Sequence, residues 1–376
     1  MVRFPPDTII AGAKLENVWL QQNSINGTAE YQGSRVFYKI ADDHRLQKEE
    51  HGYHVLENYL PQPKFLGYHK IDDIKSMVLY EHVPELEQYE HLLLGWIRQK
   101  SVGELICSKA WNQVCSLLQN MHAKTMIADT LGITKEIFRR SNVLPNGKLD
   151  NRYGSDWERL DYLLDINEVA INGNSMSYNW SQYKKNLRDF GTNKEETVMA
   201  TIHGSATEMH ICMLPMFFDI TTAGTYPVMS ELFMFNLSAS FTDEYVVPRF
   251  FPLLVPRFPE VLEDYREEYG HEWTMREKSI IVDFTNPYPS IRESLLKSFN
   301  QQVTFLDIEQ GLEMLPQWDW KNEYTQYTIS RLLSLFNLPT LPESDQALLL
   351  THMAQLYDWM ANPDQYSTIP HIGGQT

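Results

Sequence analysis

At Pro84 the chain changes character, and the order of elements on either side restricts the folds open to it. Before Pro84, residues 18–20 and 35–40 alternate in the manner of strands, with Ser24-Ile25-Asn26-Gly27-Thr28 reading as the turn between them. Residues 46–60 then place Val55, Leu56, Tyr59 and Leu60 at helical spacing, and Pro61 and Pro63 stop the run. Residues 64–69 and 76–80 read as two more strands. A sheet carrying one helix, in strand, strand, helix, strand, strand order, is the economical arrangement. Beyond Pro84, residues 92–98 and 109–122 read as helices, the second with Val114, Leu117, Leu118 and Met121 on one stripe. Residues 125–195 are polar and rich in turn signals, and read as an insertion around a helix-like stretch at 157–166. Short strands return between 197 and 226, and residues 228–362 read as mainly helical, with breaks at Pro287-Tyr288-Pro289 and Pro339-Thr340-Leu341-Pro342. The expectation is an α+β protein of two lobes: a small β-rich lobe over residues 1–84 and a larger, mainly helical one over 85–376.

Composition narrows the function classes. Asp and Glu total 49 against 32 Lys and Arg, a formal charge of -17, which argues against a basic surface that tracks nucleic acid. Apolar runs such as Leu92-Leu93-Leu94-Gly95-Trp96-Ile97 fall short of the about 18 residues that a membrane helix needs, so no span is expected. The start, with Pro5-Pro6-Asp7, lacks the apolar core of a signal peptide. Three cysteines without a Cys-x-x-Cys pair indicate neither a disulfide framework nor a thiolate zinc site. A cytoplasmic protein is expected. No Walker-type or Gly-x-Gly-x-x-Gly signature occurs, which leaves P-loop and dinucleotide folds without support.

The chemistry-bearing segment is His203-Gly204-Ser205-Ala206-Thr207-Glu208-Met209-His210-Ile211, followed by Phe217-Phe218-Asp219-Ile220-Thr221-Thr222-Ala223-Gly224. It resembles the catalytic segment of the aminoglycoside phosphotransferase and choline kinase-like family, a branch of the protein-kinase-like fold. That family reads His-Gly-Asp, four residues, Asn, an apolar hairpin, then Ile-Asp and often Ala-Gly. The resemblance extends backwards in order through Leu117-Leu118-Gln119-Asn120-Met121-His122, a hinge at Glu81-His82-Val83, acids Glu49 and Glu50 on a helix, and Lys39 on a strand. It implies a two-lobed kinase-like fold and an ATP- and magnesium-dependent small-molecule phosphotransferase. In such a site a strand lysine reaches the nucleotide phosphates and a helix acid orients it, while carboxylate and amide oxygens hold the metal. By the resemblance Lys39 pairs the phosphates, with Glu49, or else Glu50, as its partner. Ser24, Asn26, Gly27 and Thr28 form the loop over the phosphates, Gly27 being free to take positive φ. Glu81 and Val83 offer backbone groups to the adenine, and Asp219 holds Mg2+.

Two positions depart from the family pattern. Ser205 stands at the catalytic aspartate and His210 at the metal-binding asparagine. Loss of a general base removes about 10²–10⁴ in rate, and imidazole is a poor ligand for magnesium, which prefers oxygen. Four readings follow: Glu208, in the same loop, replaces the missing acid; the acceptor is one that needs no base, such as a carboxylate; the chain is a pseudokinase acting as a regulatory partner of another protein, through residues 125–195 or the C-terminal helices; or His210 binds a metal other than magnesium beside Asp219. His203 reads as scaffold. Asp189-Phe190-Gly191 spells the kinase magnesium triplet but precedes the catalytic segment, so it reads as a chance match. His51 and His54 read as an exposed helix face. Glu231, Asp243, Glu244, Asp264, Glu267 and Glu268 are the acids that would face a small hydroxylated or cationic acceptor.

Overall fold

The computed structural model describes residues 8–20, 24–84, 104–131, 166–192, 196–204, 211, 214–241, 271–284, 296–335 and 343–370. The expected helix at 92–98 and most of that at 157–166 lie outside these residues. The described chain is α+β and divides into two compact units, one of residues 1–121 and 201–225, the other of residues 122–200 and 226–376.

The first unit is built on an antiparallel sheet of β1 (Ile9–Ile10), β2 (Ala13–Leu15), β3 (Trp19–Leu20), β4 (Ile25–Tyr31), β5 (Ser34–Asp42), β6 (Phe65–Lys70) and β7 (Lys75–Glu81). Its order is β1-β2-β4-β5-β7-β6, with β3 also paired to β4. Strand periodicity sorts the side chains onto two faces. Val36, Tyr38 and Ile40 of β5 join Ala13, Leu15, Ala29, Met77 and Leu79 in one core. Phe37, Ala41, Val78 and Tyr80 join Leu46, Tyr53, Phe65 and Tyr68 in another, which packs the helix α1 (Asp43–Leu56) onto the sheet. Lys39 shares the parity of Phe37 and Ala41, so it belongs to the helix-bearing face.

Helix α1 begins where β5 ends. The Asp43 amide donates to the Ile74 carbonyl at 2.7 Å, and its carboxylate accepts from Tyr68 and Ser76, which anchors the first turn to β6 and β7. Its buried residues, Leu46, Glu49, Gly52 and Leu56, recur at helical spacing; three are apolar or small, and one is an acid. The helix α2 (Glu104–Thr125) buries Trp111, Val114, Cys115, Leu118 and Met121; of the expected stripe Leu117 is only half-buried, and Trp111 and Cys115 complete the buried face.

One local expectation is overturned. Ser24 to Thr28 is not a turn: Asn26, Gly27 and Thr28 lie inside β4, opposite Lys39, Tyr38 and Phe37. The reversal comes later, at Gln32-Gly33, where both residues take positive φ. Gly27 does not have positive φ and serves a different need. A Cβ there would lie 1.9 Å from the Asn17 carbonyl oxygen and 2.7 Å from the Tyr38 hydroxyl. Its absence lets Tyr38 donate to the Asn17 carbonyl at 2.9 Å.

The second unit holds β8 (Ile127–Asp129), β9 (Glu168–Ile171), β10 (Asn174–Ser177), α3 (Trp180–Thr192), β11 (Thr197–Ile202), β12 (Gly224–Pro227), α4 (Met229–Phe241), β13 (His271–Arg276), β14 (Ser279–Phe284), α5 (Phe305–Met314), α6 (Trp320–Leu335) and α7 (Glu343–Ala361), with β11 and β12 running on into the first unit. It is less uniformly helical than the sequence suggests. Strands β10, β9, β14 and β13 form a four-stranded sheet in that order, in which β9 and β14 run parallel although more than a hundred residues separate them. The 279–284 strand is a six-residue, mostly apolar run, which periodicity alone does not separate from a short buried helix. Asp189-Phe190-Gly191 lies inside α3, with Phe190 buried, which is a packing role. Among the described residues no helix is long and apolar enough to cross a membrane.

Candidate functional site

Lys39 and Glu49 meet on the helix-bearing face of the first sheet. Lys39 Nζ donates to Glu49 Oε2, with both side chains nearly buried, at 11% and 6% exposure. Glu50 is only partly buried and is not the partner. The second carboxylate oxygen, Glu49 Oε1, accepts from the Tyr80 hydroxyl at 2.9 Å. Tyr80 is buried and its ring lies against Phe65 and Phe37, with centroids 5.6 and 6.5 Å away. Burial first, and then the Glu49 charge, push the Tyr80 phenol well above its ordinary pKa, and Asp219 adds to the push. It therefore stays a donor at any physiological pH.

Asp219 reaches this cluster by a close backbone approach. Helix α1 carries Gly52 one turn beyond Glu49, and a Cβ there would lie 2.0 Å from the Ile220 carbonyl oxygen. Only glycine lets the 3₁₀ turn Ile220–Thr222 seat directly on the helix. The Phe217 amide donates to the Pro61 carbonyl at 2.9 Å, which ties the same segment to the chain just after α1. Asp219 itself has φ 53°, in the left-handed region, and its Oδ1 accepts from the Thr221 hydroxyl at 3.1 Å. A non-glycine residue held there is a mark of local constraint, and Asp tolerates it better than most. Downstream, the Thr222 hydroxyl donates to the His203 carbonyl at 3.4 Å, and the buried His203 ring packs 5.7 Å from that of Phe217.

The remaining sequence candidates divide three ways. Asn26 lies directly opposite Lys39 in the β4–β5 register, so their side chains share a face. Its amide oxygen is buried and has no hydrogen-bond partner among the described residues. Thr28, by contrast, is committed to the sheet: it accepts from Asn17 Nδ2 at 2.8 Å and donates to Glu16 Oε2 at 3.4 Å, within β4 rather than in a loop over a ligand. Ser24 is buried just before β4. At the hinge the Glu81 amide donates to the Lys64 carbonyl at 2.8 Å and so is spent within the chain, whereas Val83 is half-buried beyond the end of β7. Ser205, Glu208 and His210 lie outside the described residues, as do Asp243, Glu244, Asp264, Glu267 and Glu268.

Tyr80 is the residue that sequence reasoning missed. It closes the apolar run Ser76-Met77-Val78-Leu79-Tyr80, in which a tyrosine reads as core. The available signal was its parity with Lys39 across the β5–β7 pair.

The second unit holds a different charged cluster. His122, fully buried, places Nδ1 2.6 Å from Asp307 Oδ2 and Nε2 2.8 Å from Glu231 Oε2. Burial disfavours charge on the ring, but the two carboxylates outweigh it and hold the imidazole up to about 10. Glu231, an expected acceptor-facing acid, is thereby buried and bonded to His122. Among the described residues no group of three or more His, Cys, Asp or Glu side chains is arranged to hold a metal ion by itself.

No protein-family profile matches the chain, and no curated protein matches it. Solved structures do. A candidate aminoglycoside phosphotransferase from Ralstonia eutropha JMP134 aligns over 94% of this chain and 93% of its own at 10% identity, with a TM-score of 0.46. A thermostable variant of the aminoglycoside phosphotransferase APH(4)-Ia aligns over 94% and 97% at 8% identity and a TM-score of 0.45. The spectinomycin phosphotransferase APH(9)-Ia, solved with ADP and spectinomycin, aligns over 91% and 88% at 8% identity and a TM-score of 0.42. At such identities and scores the likeness assigns no reaction to this chain.

Proposed function

We propose that the first unit is the nucleotide-holding part of an ATP-dependent transferase that moves a phosphoryl or related group to a small hydroxylated or cationic acceptor. The observation that carries this reading is the buried Lys39–Glu49 pair with the Asp219 turn seated on the same helix through Gly52. Phosphoryl transfer requires positioned charge more than covalent chemistry. A lysine held by one carboxylate oxygen keeps two further N–H donors for anionic oxygens. Asn26, on the same face, adds an amide oxygen able to accept from a ligand.

A magnesium ion fits the donor chemistry of Asp219. Magnesium takes one or two protein carboxylates and completes its shell with phosphate oxygens and water. When bound, it would neutralise phosphate charge. Asp219 would supply a hard oxygen from its constrained left-handed position, and Thr221 would orient the carboxylate. Lys39 would bind phosphate oxygens, Glu49 would keep the ammonium in place, and Ser24 would line the approach to β4. The carbonyl of Glu81 and the backbone of Val83 would meet the base. In the catalytic segment, Ser205 and His210 replace the oxygen donors that the resemblance leads one to expect, and Glu208, three residues after Ser205 in the sequence, would take over proton acceptance. This reading carries a cytoplasmic setting, where the nucleotide is supplied.

Those same two replacements favour a second reading, a pseudokinase that holds nucleotide and acts through a protein partner. Thermal unfolding with and without ATP and magnesium tests the shared premise. Saturation at one hundred times the dissociation constant stabilises a folded chain by about 2.7 kcal/mol. Wild type is expected to shift, and Lys39→Met and Asp219→Asn are not. A steady-state phosphate-release assay with hydroxylated and cationic acceptors then separates transferase from pseudokinase.

A further inference from the structure

We propose that Tyr80 is a positioning residue for phosphate binding, whose hydroxyl fixes the Glu49 carboxylate so that Lys39 is presented in a single orientation. The inference rests on the nucleotide reading above.

Glu49 has two oxygens and a flexible stem. Lys39 occupies Oε2, and without a second anchor the carboxylate is free to rotate about its terminal torsion, carrying the ammonium with it. Tyr80 removes that freedom by donating to Oε1 at 2.9 Å. The phenol is itself immobilised, since its ring is buried between Phe37 and Phe65 and its backbone lies in the β5–β7 ladder opposite Phe37. The order of constraint thus runs from a rigid strand through an aromatic ring to a carboxylate and then to a lysine. Groups that bind anions act best when held in place by packing and hydrogen bonds that cost no reorganisation on binding. The burial that keeps the phenol protonated ensures that the donor is present at all working pH.

A purely structural tyrosine in this place would matter to stability alone. The test therefore compares ligands with and without phosphates, ATP and adenosine, by isothermal titration on wild type, Tyr80→Phe and Tyr80→Leu. Circular dichroism checks that each protein is folded. Tyr80→Phe keeps the ring and deletes only the hydroxyl, and Tyr80→Leu is the second variant should the first not fold. The expected result is an ATP dissociation constant raised about tenfold in either variant, with that for adenosine within about twofold of wild type; loss of a hydrogen bond to a charged group is of this size. Equal weakening of ATP and adenosine, or an unchanged ATP affinity, overturns the positioning role and leaves the nucleotide reading intact. A wild type that binds neither ligand overturns both.

Discussion

Two buried charge clusters, one in each unit, differ in whether the donors of their cationic centre are used up. His122 has two ring nitrogens, and both are taken by carboxylates, at 2.6 Å from Asp307 and 2.8 Å from Glu231. The imidazole has no nitrogen left for a ligand and is wholly buried, although Asp307 Oδ1 is buried with no hydrogen-bond partner among the described residues. Lys39 has three donors, and the described residues give it one partner, Glu49, while a trace of exposure remains. A cation whose donors are all taken holds helices together, whereas one with donors left over is prepared for something that arrives. Strongly perturbed titration by itself therefore points to the wrong place here. His122 is strongly perturbed with both nitrogens taken, and Lys39 is the residue with donors to spare.

The largest expected effect breaks the closed cluster. His122→Ala would leave the Asp307 and Glu231 carboxylates facing each other without a counter-charge in a dry site. Removing one partner of a buried ionic group typically destabilises by about 3–5 kcal/mol. Denaturant unfolding should show a loss in that range, and any variant that remains folded should bind ATP as wild type does. A stable His122→Ala protein with impaired nucleotide binding would reverse the assignment of the two clusters.

The next effect breaks the open cluster. Lys39→Met should abolish the ATP-dependent stabilisation of about 2.7 kcal/mol expected at one hundred times the dissociation constant. Its unliganded stability should fall by less than in His122→Ala, because Lys39 and Glu49 retain some contact with solvent. The two variants thus form a crossed pair, one losing mainly stability and the other mainly ligand response, and scanning calorimetry with and without ATP and magnesium reads both.

A smaller effect sharpens the comparison by moving the backbone on which the open cluster depends. Gly52→Ala places a methyl group 2.0 Å from the Ile220 carbonyl oxygen, so α1 and the Asp219 turn must part. Overpacking of this kind costs about 1–3 kcal/mol. Gly33→Ala is the matched control: its φ of +76° strains an alanine, yet nothing lies within 4 Å of the new methyl. Both variants should lose thermal stability, but only Gly52→Ala should lose magnesium-dependent enhancement of ATP binding, measured by titration with and without the metal. Equal responses would mean that the seating of Asp219 on α1 has no bearing on the ligand.

The same contrast explains what could be read from the sequence. The helix between β5 and β6 and most of the stripe of α2 follow from periodicity, a local signal, and the pairing of Lys39 with an acid on α1 is what the family resemblance implies. The Asn26-Gly27 pair misled because turn chemistry and close packing select the same residue: Gly27 is glycine for lack of space beside Asn17 and Tyr38, not for its φ. Strands β9 and β14 pair in parallel across a long separation, a contact that no local pattern encodes. The two anchors of the His122 cluster, Glu231 and Asp307, lie 109 and 185 residues from the histidine. Tyr80 was hidden for a further reason, since one hydroxyl at the end of an apolar strand carries no signature until the strand register places it beside Glu49.

The smallest effect per step is a pH dependence of the closed cluster. The His122 imidazole is held up to about 10 in the folded chain against an ordinary 6.5, because the Asp307 and Glu231 carboxylates prevail over the burial that opposes its charge. Burial, reinforced by the Glu231 charge, also pushes the Asp307 carboxyl above its ordinary range. Both groups hold their protons more tightly folded than unfolded, so both make stability fall as pH rises. For His122 the contribution is complete below pH 6.5 and is lost as pH climbs through about 10. The slope for one proton is at most about 1.4 kcal/mol per pH unit. Urea unfolding from pH 6 to 10 should show this decline in wild type and a much flatter profile in His122→Gln. A slope that survived in His122→Gln would place the titrating group elsewhere and remove the histidine from its role as the charged centre of that cluster.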